Sequence, residues 1–171
     1  MLIGIVADTH GYFHPALAEY FAKVDFIIHA GDIGNVDTLL ALEAVAPVRA
    51  VFGNVDGWDL RATAPEHQQF EEQGLRFWVT HIAGHPGRWQ QGMGKKLSES
   101  TPDIFICGHS HILRIERVPK LKNMLYINPG AAGRQGFHQV KTAVRLSLVD
   151  GKPKQAEVIH LDEPLTINKN D

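Results

Sequence analysis

Three short apolar runs, Leu2 to Ala7, Asp25 to Ala30 and Val48 to Phe52, constrain this chain most. Each is rich in β-branched residues and too short for a buried helix, so each reads as a strand of a sheet interior. The stretches between them carry apolar residues at helical spacing. His14 to Ala22 opens with Pro15, while Val36 to Val45 presents Leu39, Leu40, Leu42 and Val45 and stops before Pro47,. Strand, helix, strand, helix, strand predicts right-handed crossovers and a parallel sheet. In such a sheet ligands bind beyond the carboxyl ends of the strands.

Those ends carry a repeated chemistry. The first run stops at Asp8-Thr9-His10, the second at Gly31-Asp32 and the third at Gly53-Asn54-Val55-Asp56. Side chains at i and i+2 of an extended segment point the same way, so Asp8 and His10 grip one cation if strand geometry continues through Thr9. A carboxylate oxygen with a neutral imidazole nitrogen suits Mn²⁺, Fe²⁺ or Zn²⁺. The plainer reading of the dipeptide is an Asp that caps the next helix beside a surface His.

Beyond Asp56 the pattern changes. Gln68 to Glu72 and Leu75 to Thr80, separated by Gln73-Gly74, read as a hairpin whose second strand ends at His81,. Ile82 to Gly94 holds Gly84, Pro86, Gly87, Gly92 and Gly94 with His85 and Trp89, which is loop composition,. A short helix over Lys95 to Ser100 precedes a buried strand, Asp103 to Cys107, which ends at Gly108-His109-Ser110-His111. Leu113 to Val118, Met124 to Asn128, Thr142 to Val149 and Gln155 to Leu161 alternate as antiparallel strands do, with Asn128-Pro129-Gly130-Ala131 as a tight turn between them and 165–171 as a polar tail,.

At 171 residues the expectation is one domain spanning 1–171,. A net charge of −2 provides no long-range field for nucleic acid or an acidic membrane, so substrate charge has to be handled locally,. The lone Cys107 cannot form an internal disulfide, and the chain enters its first strand without a leader-like segment, which points to the cytoplasm,. No apolar run approaches the roughly 20 residues of a membrane span.

Five strand ends therefore present Asp8 and His10, Asp32, Asn54, His81, and His109 with His111. Seven such groups exceed what one divalent ion takes, whereas two ions sharing a carboxylate would use them all. Asp32 is the natural bridge. Two ions about 3.5–4 Å apart lower the pKa of a bridging water and brace the attacking and leaving oxygens at phosphorus. Asn54 fits as a neutral ligand that leaves the site cationic enough for a phosphate. The chemistry expected is dinuclear hydrolysis of phosphoesters by a bridging hydroxide, with Asp32 and Asn54 as catalytic residues and a small phosphoester as substrate.

In this order Asp8-x-His10, Gly31-Asp32, Gly53-Asn54-x-Asp56, His81 and Gly108-His109-x-His111 resemble the calcineurin-like metallophosphoesterase superfamily. The small size and Asn128-Pro129-Gly130 resemble its short bacterial and archaeal phosphodiesterases. The resemblance, which runs from Met1 to about Leu161, implies an α/β fold: two mixed β-sheets packed as a sandwich flanked by helices, in four α/β/β/α layers. It also implies one ion on Asp8, His10, Asp32 and His111, and a second on Asp32, Asn54, His81 and His109. Manganese is the expected metal, with Fe, Zn, Ni or Mg as the other choices.

Two positions depart from the family pattern. Many relatives have a His where this chain has Val55, which removes the usual general acid; such acids contribute about 10²- to 10⁴-fold. Relatives tend to have Thr-His-Gly-His where this chain has Thr80-His81-Ile82-Ala83-Gly84-His85, so His85 could replace His81 as a ligand or supply the missing acid. Arg134 reads either as a phosphate-binding fork or as a solvated loop residue. His29, inside a strand, reads as a core or supporting group, and Asp56 as a loop-orienting residue or ordinary turn chemistry. His14, His67, His138 and His160 read as surface or structural residues, and Trp58 and Trp89 as rim packing or stacking platforms. A non-enzymatic alternative keeps the fold as a catalytically weak metal-binding scaffold for protein partners. A homo-oligomer is compatible with either reading.

Overall fold

The computed structural model describes residues 1–163, so the expected polar tail at 165–171 lies outside the described residues. In chain order the elements are β1 (Leu2–Val6), α1 (Ala16–Tyr20), β2 (Phe26–Ala30), α2 (Val36–Glu43), β3 (Val48–Val51) and α3 (Trp58–Thr63). Then come β4 (His67–Glu72), β5 (Leu75–Thr80), β6 (Gly84–His85), β7 (Arg88–Trp89), α4 (Met93–Glu99) and β8 (Ile104–Ile106). The last are β9 (Leu113–Val118), β10 (Met124–Pro129), β11 (Thr142–Val149) and β12 (Lys152–His160).

One five-stranded sheet has the order β12-β11-β1-β2-β3, with β1, β2 and β3 parallel, β11 antiparallel to β1 and β12 antiparallel to β11. The second has the order β4-β5-β8-β10-β9, in which β8 runs parallel to both its neighbours. The period-2 alternation of side chains decides how they pack. Ile3, Ile5, Phe26, Ile28 and Val51 of the first sheet meet Phe77, Val79, Ile104, Ile106 and Ile127 of the second. The opposite faces are closed by helices: Leu17, Phe21 and Leu42 cover Val6 and Ile27, while Met93 and Leu97 cover Trp78, Phe105 and Tyr126. Burying each large apolar side chain contributes about 1.5–3 kcal/mol, so two mixed sheets flanked by helices follow from the inside–outside pattern.

Several local expectations are corrected. Ile82 to Gly94 is not all loop, because β6 and β7 pair there as a two-stranded ribbon. The helix α3 is unforeseen; its six residues are too few to show periodicity,. Helix α4 begins at Met93, two residues before the expected Lys95. The four late strands are not uniformly antiparallel, since β10 pairs parallel with β8. Nor is Asn128-Pro129-Gly130-Ala131 a tight turn between neighbours: β10 and β11 lie in different sheets, and residues 130–141 cross between them.

Candidate metal centre

The loops following β1 and β2 are zipped together by main-chain bonds from Asp8 N to Gly31 O, His10 N to Asp32 O and Gly11 N to Ile33 O, at 3.0, 3.0 and 2.7 Å. The zipper sets Asp8 and Asp32 side by side. The expected continuation of strand geometry through Thr9 does not occur, because β1 ends at Val6 and both Asp8 and His10 have positive φ, at 53° and 48°. Their side chains converge through a turn instead. Asp32, His109 and His111 are left-handed too, so five of the nine described non-glycine residues with positive φ are candidate ligands. Such conformations cost of order 1–3 kcal/mol each and persist where the surroundings over-determine them, a pattern typical of functional sites.

Two clusters form. Asp8, His10 and His111 present ligand atoms within 4.8 Å of one another, and so do Asp32, His81 and His109. In the first, His111 Nε2 lies 3.2 Å from Asp8 Oδ1 and 3.2 Å from His10 Nε2. In the second, His81 Nε2 is 3.2 Å from Asp32 Oδ2 and 3.2 Å from Asn54 Oδ1. The clusters adjoin, with His81 Nε2 4.0 Å from Asp8 Oδ1. All seven strand-end groups predicted as ligands thus reach one place. His81, and not His85, is the histidine beside Asp32; His85 is exposed on the ribbon and donates its Nδ1–H to Pro86 O at 2.9 Å.

Buried hydrogen bonds aim these groups. His81 Nδ1 donates to Ala30 O at 2.8 Å, which leaves Nε2 facing the carboxylates,. Asp8 accepts the His109 N–H at 3.0 Å, and Asp32 Oδ1 accepts the Val55 N–H at 3.0 Å. Asp8 and Asp32 are almost wholly buried, yet among the described residues no Lys or Arg hydrogen-bonds or ion-pairs with either. Two adjacent buried carboxylates faced only by imidazoles and main-chain N–H groups form a donor set that fits divalent cations.

The protonation balance reflects the same crowding. Burial pulls the His81 imidazole down, but its hydrogen bond to Asp32 and the fields of Asp8 and Asp32 outweigh that and hold it above the usual histidine value. The hydrogen bond to Asp8 raises His111 despite burial. His10 and His109 are lowered, chiefly by desolvation. Burial pushes Asp32 up, but the hydrogen bonds from His81 and Val55 N–H bring it below the ordinary carboxylate range.

Supporting residues that the sequence left ambiguous take definite places. Asp56 is a loop clamp: Oδ2 accepts the N–H of Ile33 at 3.1 Å and Gly53 at 2.8 Å, while Oδ1 accepts the N–H of Gly34 at 2.7 Å. Arg61, unforeseen, donates from Nε to Asp56 O at 2.7 Å and from an Nη to Gly53 O at 3.1 Å, with its guanidinium over Phe52. Asn128, read only as a turn residue, donates to Gly108 O at 2.9 Å and Ser110 Oγ at 3.0 Å and so holds the loop carrying His109 and His111. Gly53 has no room for a side chain, since a Cβ there would lie 2.0 Å from Asp32 Oδ1.

His29 is a supporting core group whose Nδ1 accepts the Gly31 N–H at 3.2 Å while Nε2 faces Thr9 Oγ1 at 2.9 Å. Desolvation lowers its pKa to about 4. Trp89 packs against Phe105 and Tyr126, whereas Trp58 is exposed. His14 pairs with Asp162 at the surface. His138, read as surface or structural, instead lies 3.2 Å from His111, ring nitrogen to ring nitrogen. The Arg134 guanidinium stacks 3.8 Å over the Tyr12 ring, next to the Asp8–His10 loop. Two cavities open beside the clusters. One of about 200 Å³ is lined by Asn54, Arg61, Thr80 and His81, and one of about 490 Å³ by His109, His111, Ile112 and Phe137.

Comparison with known proteins agrees with this geometry. A family model described as the calcineurin-like phosphoesterase superfamily domain matches residues 1–151. A probable metallophosphoesterase of Methanothermobacter thermautotrophicus is 30% identical over 175 residues, covering 99% of this chain and 98% of its own. Among solved structures, one reported as a novel archaeal phosphodiesterase superposes with a TM-score of 0.73 at 25% identity, covering 93% of this chain and all of its own. Vps29 of Entamoeba histolytica, as a single mutant, shares the fold with a TM-score of 0.70 at 19% identity, covering 94% of this chain and 99% of its own.

Proposed function

The chain belongs to the calcineurin-like phosphoesterase superfamily, a family of metal-dependent phosphoester hydrolases, and from that membership we propose that it is a dinuclear phosphodiesterase acting on a small phosphoester. The observation carrying this reading is the meeting of two three-residue ligand clusters, 4.0 Å apart at His81 Nε2 and Asp8 Oδ1. In the proposed arrangement Asp8, His10, Asp32 and His111 hold one cation. Asp32, Asn54, His81 and His109 hold the other. Bound there, two divalent cations would acidify a water and neutralise phosphate charge, and the mix of carboxylate, imidazole and amide oxygen favours manganese.

The protein's own groups do the rest. Asp32, a member of the second cluster whose field also reaches His10 and His111 of the first, would share its charge with both cations. Asn54 contributes a neutral oxygen, so the pocket retains attraction for an anionic diester. Val55 offers no proton donor for the leaving group, and His85, which lines a cavity of about 170 Å³ with His109, takes that role in this reading,. Arg134 is the phosphate-binding fork at the rim. The similarity to an archaeal phosphodiesterase supports the choice of diester over monoester.

The test is hydrolysis of bis(p-nitrophenyl) phosphate by the manganese-loaded protein, with Asp32→Ala alongside and manganese stoichiometry measured by equilibrium dialysis. Turnover that is lost on chelation and in Asp32→Ala, with two manganese bound per chain, is expected. A protein with weak occupancy and no turnover would instead be a scaffold, a role in keeping with the likeness in fold to Vps29 and with the exposed Ile112 and Phe137 beside the site.

A further inference from the structure

The six residues from Gly133 to His138, where the sequence singled out only Arg134 for the site, wrap back on His111. His138 Nε2 lies 3.0 Å from Gly133 O, and His138 Nδ1 lies 3.2 Å from His111 Nδ1. A carbonyl only accepts, so Nε2 of His138 carries the hydrogen, and in the neutral ring Nδ1 of His138 is an acceptor. The hydrogen between the two rings therefore sits on His111 Nδ1. The lone pair offered to a cation is then that of His111 Nε2, the atom that lies 3.2 Å from Asp8 Oδ1 and from His10 Nε2; without a cation the protonated ring carries a hydrogen on the same atom and donates it to Asp8.

The arrangement closes on itself. The Gly133 N–H donates to Asp8 O at 3.0 Å, so the carbonyl that holds His138 is anchored to the residue His111 faces. Gly136 lies flat against the bond between the rings: with φ of 116°, a Cβ there would come 2.3 Å from His111 Nδ1 and 3.1 Å from His138 Nδ1. Only glycine leaves the two imidazoles room to meet.

We propose that His138 is a positioning residue that fixes His111 as the Nδ1–H tautomer and aims its Nε2 at the cation held with Asp8 and His10. The inference rests on the reading of that cluster as a metal site. A supporting hydrogen bond of this type typically changes metal affinity 10- to 100-fold.

The experiment has two arms on the full chain. Nitrogen-15 NMR of the metal-free protein, at a pH alkaline enough for the ring to be neutral, reads the His111 tautomer directly; Nδ1–H is expected in the wild type, with loss of that preference in His138→Phe and Gly136→Ala. Competition titration with manganese reads affinity: about 10- to 100-fold weakening at one of two sites is expected for both variants. His138→Asn keeps an acceptor near the Nδ1 position and should restore the tautomer and most of the affinity, which a merely structural role would not predict. Thermal melting identifies any variant that fails to fold, and the remaining variants and the wild-type spectrum then decide. An Nε2–H tautomer in the wild type, or folded His138→Phe with wild-type affinity, overturns the proposal while leaving the phosphodiesterase reading intact. Absence of manganese binding by the wild type would defeat both.

Discussion

Replacing Asp56 tests how far the site depends on a residue that contacts neither ligand cluster. Its carboxylate accepts three main-chain N–H groups, two on the loop carrying Asp32 and one on the loop carrying Asn54. Asp56→Ala leaves the Ile33 and Gly53 N–H groups buried and unpaired, at about 1–3 kcal/mol each, while the half-buried Gly34 N–H can reach water and costs about 1 kcal/mol or less. The sum is about 2–7 kcal/mol, a large share of the roughly 5–15 kcal/mol available to a domain. At about 2–4 °C per kcal/mol for a chain of this size, the melting temperature should fall by roughly 4–28 °C. Asp56→Asn can keep its oxygen on Ile33 and Gly53 and lose only Gly34, so its loss should be about 1 kcal/mol or less. Because the clamp joins the Asp32 and Asn54 loops, manganese affinity of the folded fraction should drop about 10- to 100-fold. Calorimetric melting and isothermal titration measure the two effects. A melting temperature for Asp56→Ala within about 2 °C of wild type, with unchanged affinity, would refute the reasoning.

Gly53→Ala should abolish manganese binding in dialysis, because a Cβ would fall 2.3 Å from Asp32 N as well as on its carboxylate, and the main chain cannot yield there. His29 is held neutral with a pKa of about 4, below its unfolded value, so the unfolded chain binds the extra proton between pH 6.5 and 4. Its contribution is complete above pH 6.5 and is lost as the pH falls through that window, by roughly 3 kcal/mol in all. Urea titrations of metal-free protein should show this slope, and His29→Gln should flatten it. His81 and His111 are held above the usual histidine value, so a cation must displace their protons. Manganese affinity should therefore rise with pH through neutrality, with proton release visible in titrations run in buffers of different ionisation enthalpy. His85→Ala should slow diesters with alkyl leaving groups by about 10²- to 10⁴-fold relative to p-nitrophenyl diesters; equal effects on both would remove His85 as the acid.

The strands that carry the candidate ligands were legible because each is an apolar run ended by a polar residue. Continuous apolarity marked these runs as buried on both sides, but which side, that of Ile3, Ile5, Phe26 and Ile28, meets the second sheet was set by packing and not by the sequence pattern. The identity of the histidine beside Asp32 was also legible, since His81 ends β5 directly whereas His85 lies beyond it on a ribbon too short to leave a periodic signature. Local pattern failed where geometry is not local. The left-handed turns at Asp8 and His10 look like extended chain in the sequence, and α3 is shorter than two helical turns.

By itself, the sequence determined which groups end the strands, and therefore that carboxylates and imidazoles line one edge of the sheets. Strand direction and the side-chain period are set by residues within a few positions of one another. Only the tertiary structure decided how the groups are held. Asp8 meets the His109 main chain across 101 residues, Asp56 ties two loops that follow different strands, and His138 reaches His111 from a segment crossing between sheets. Those contacts depend on how the two sheets stack and on where a glycine lets one chain lie against another, and no local propensity encodes either.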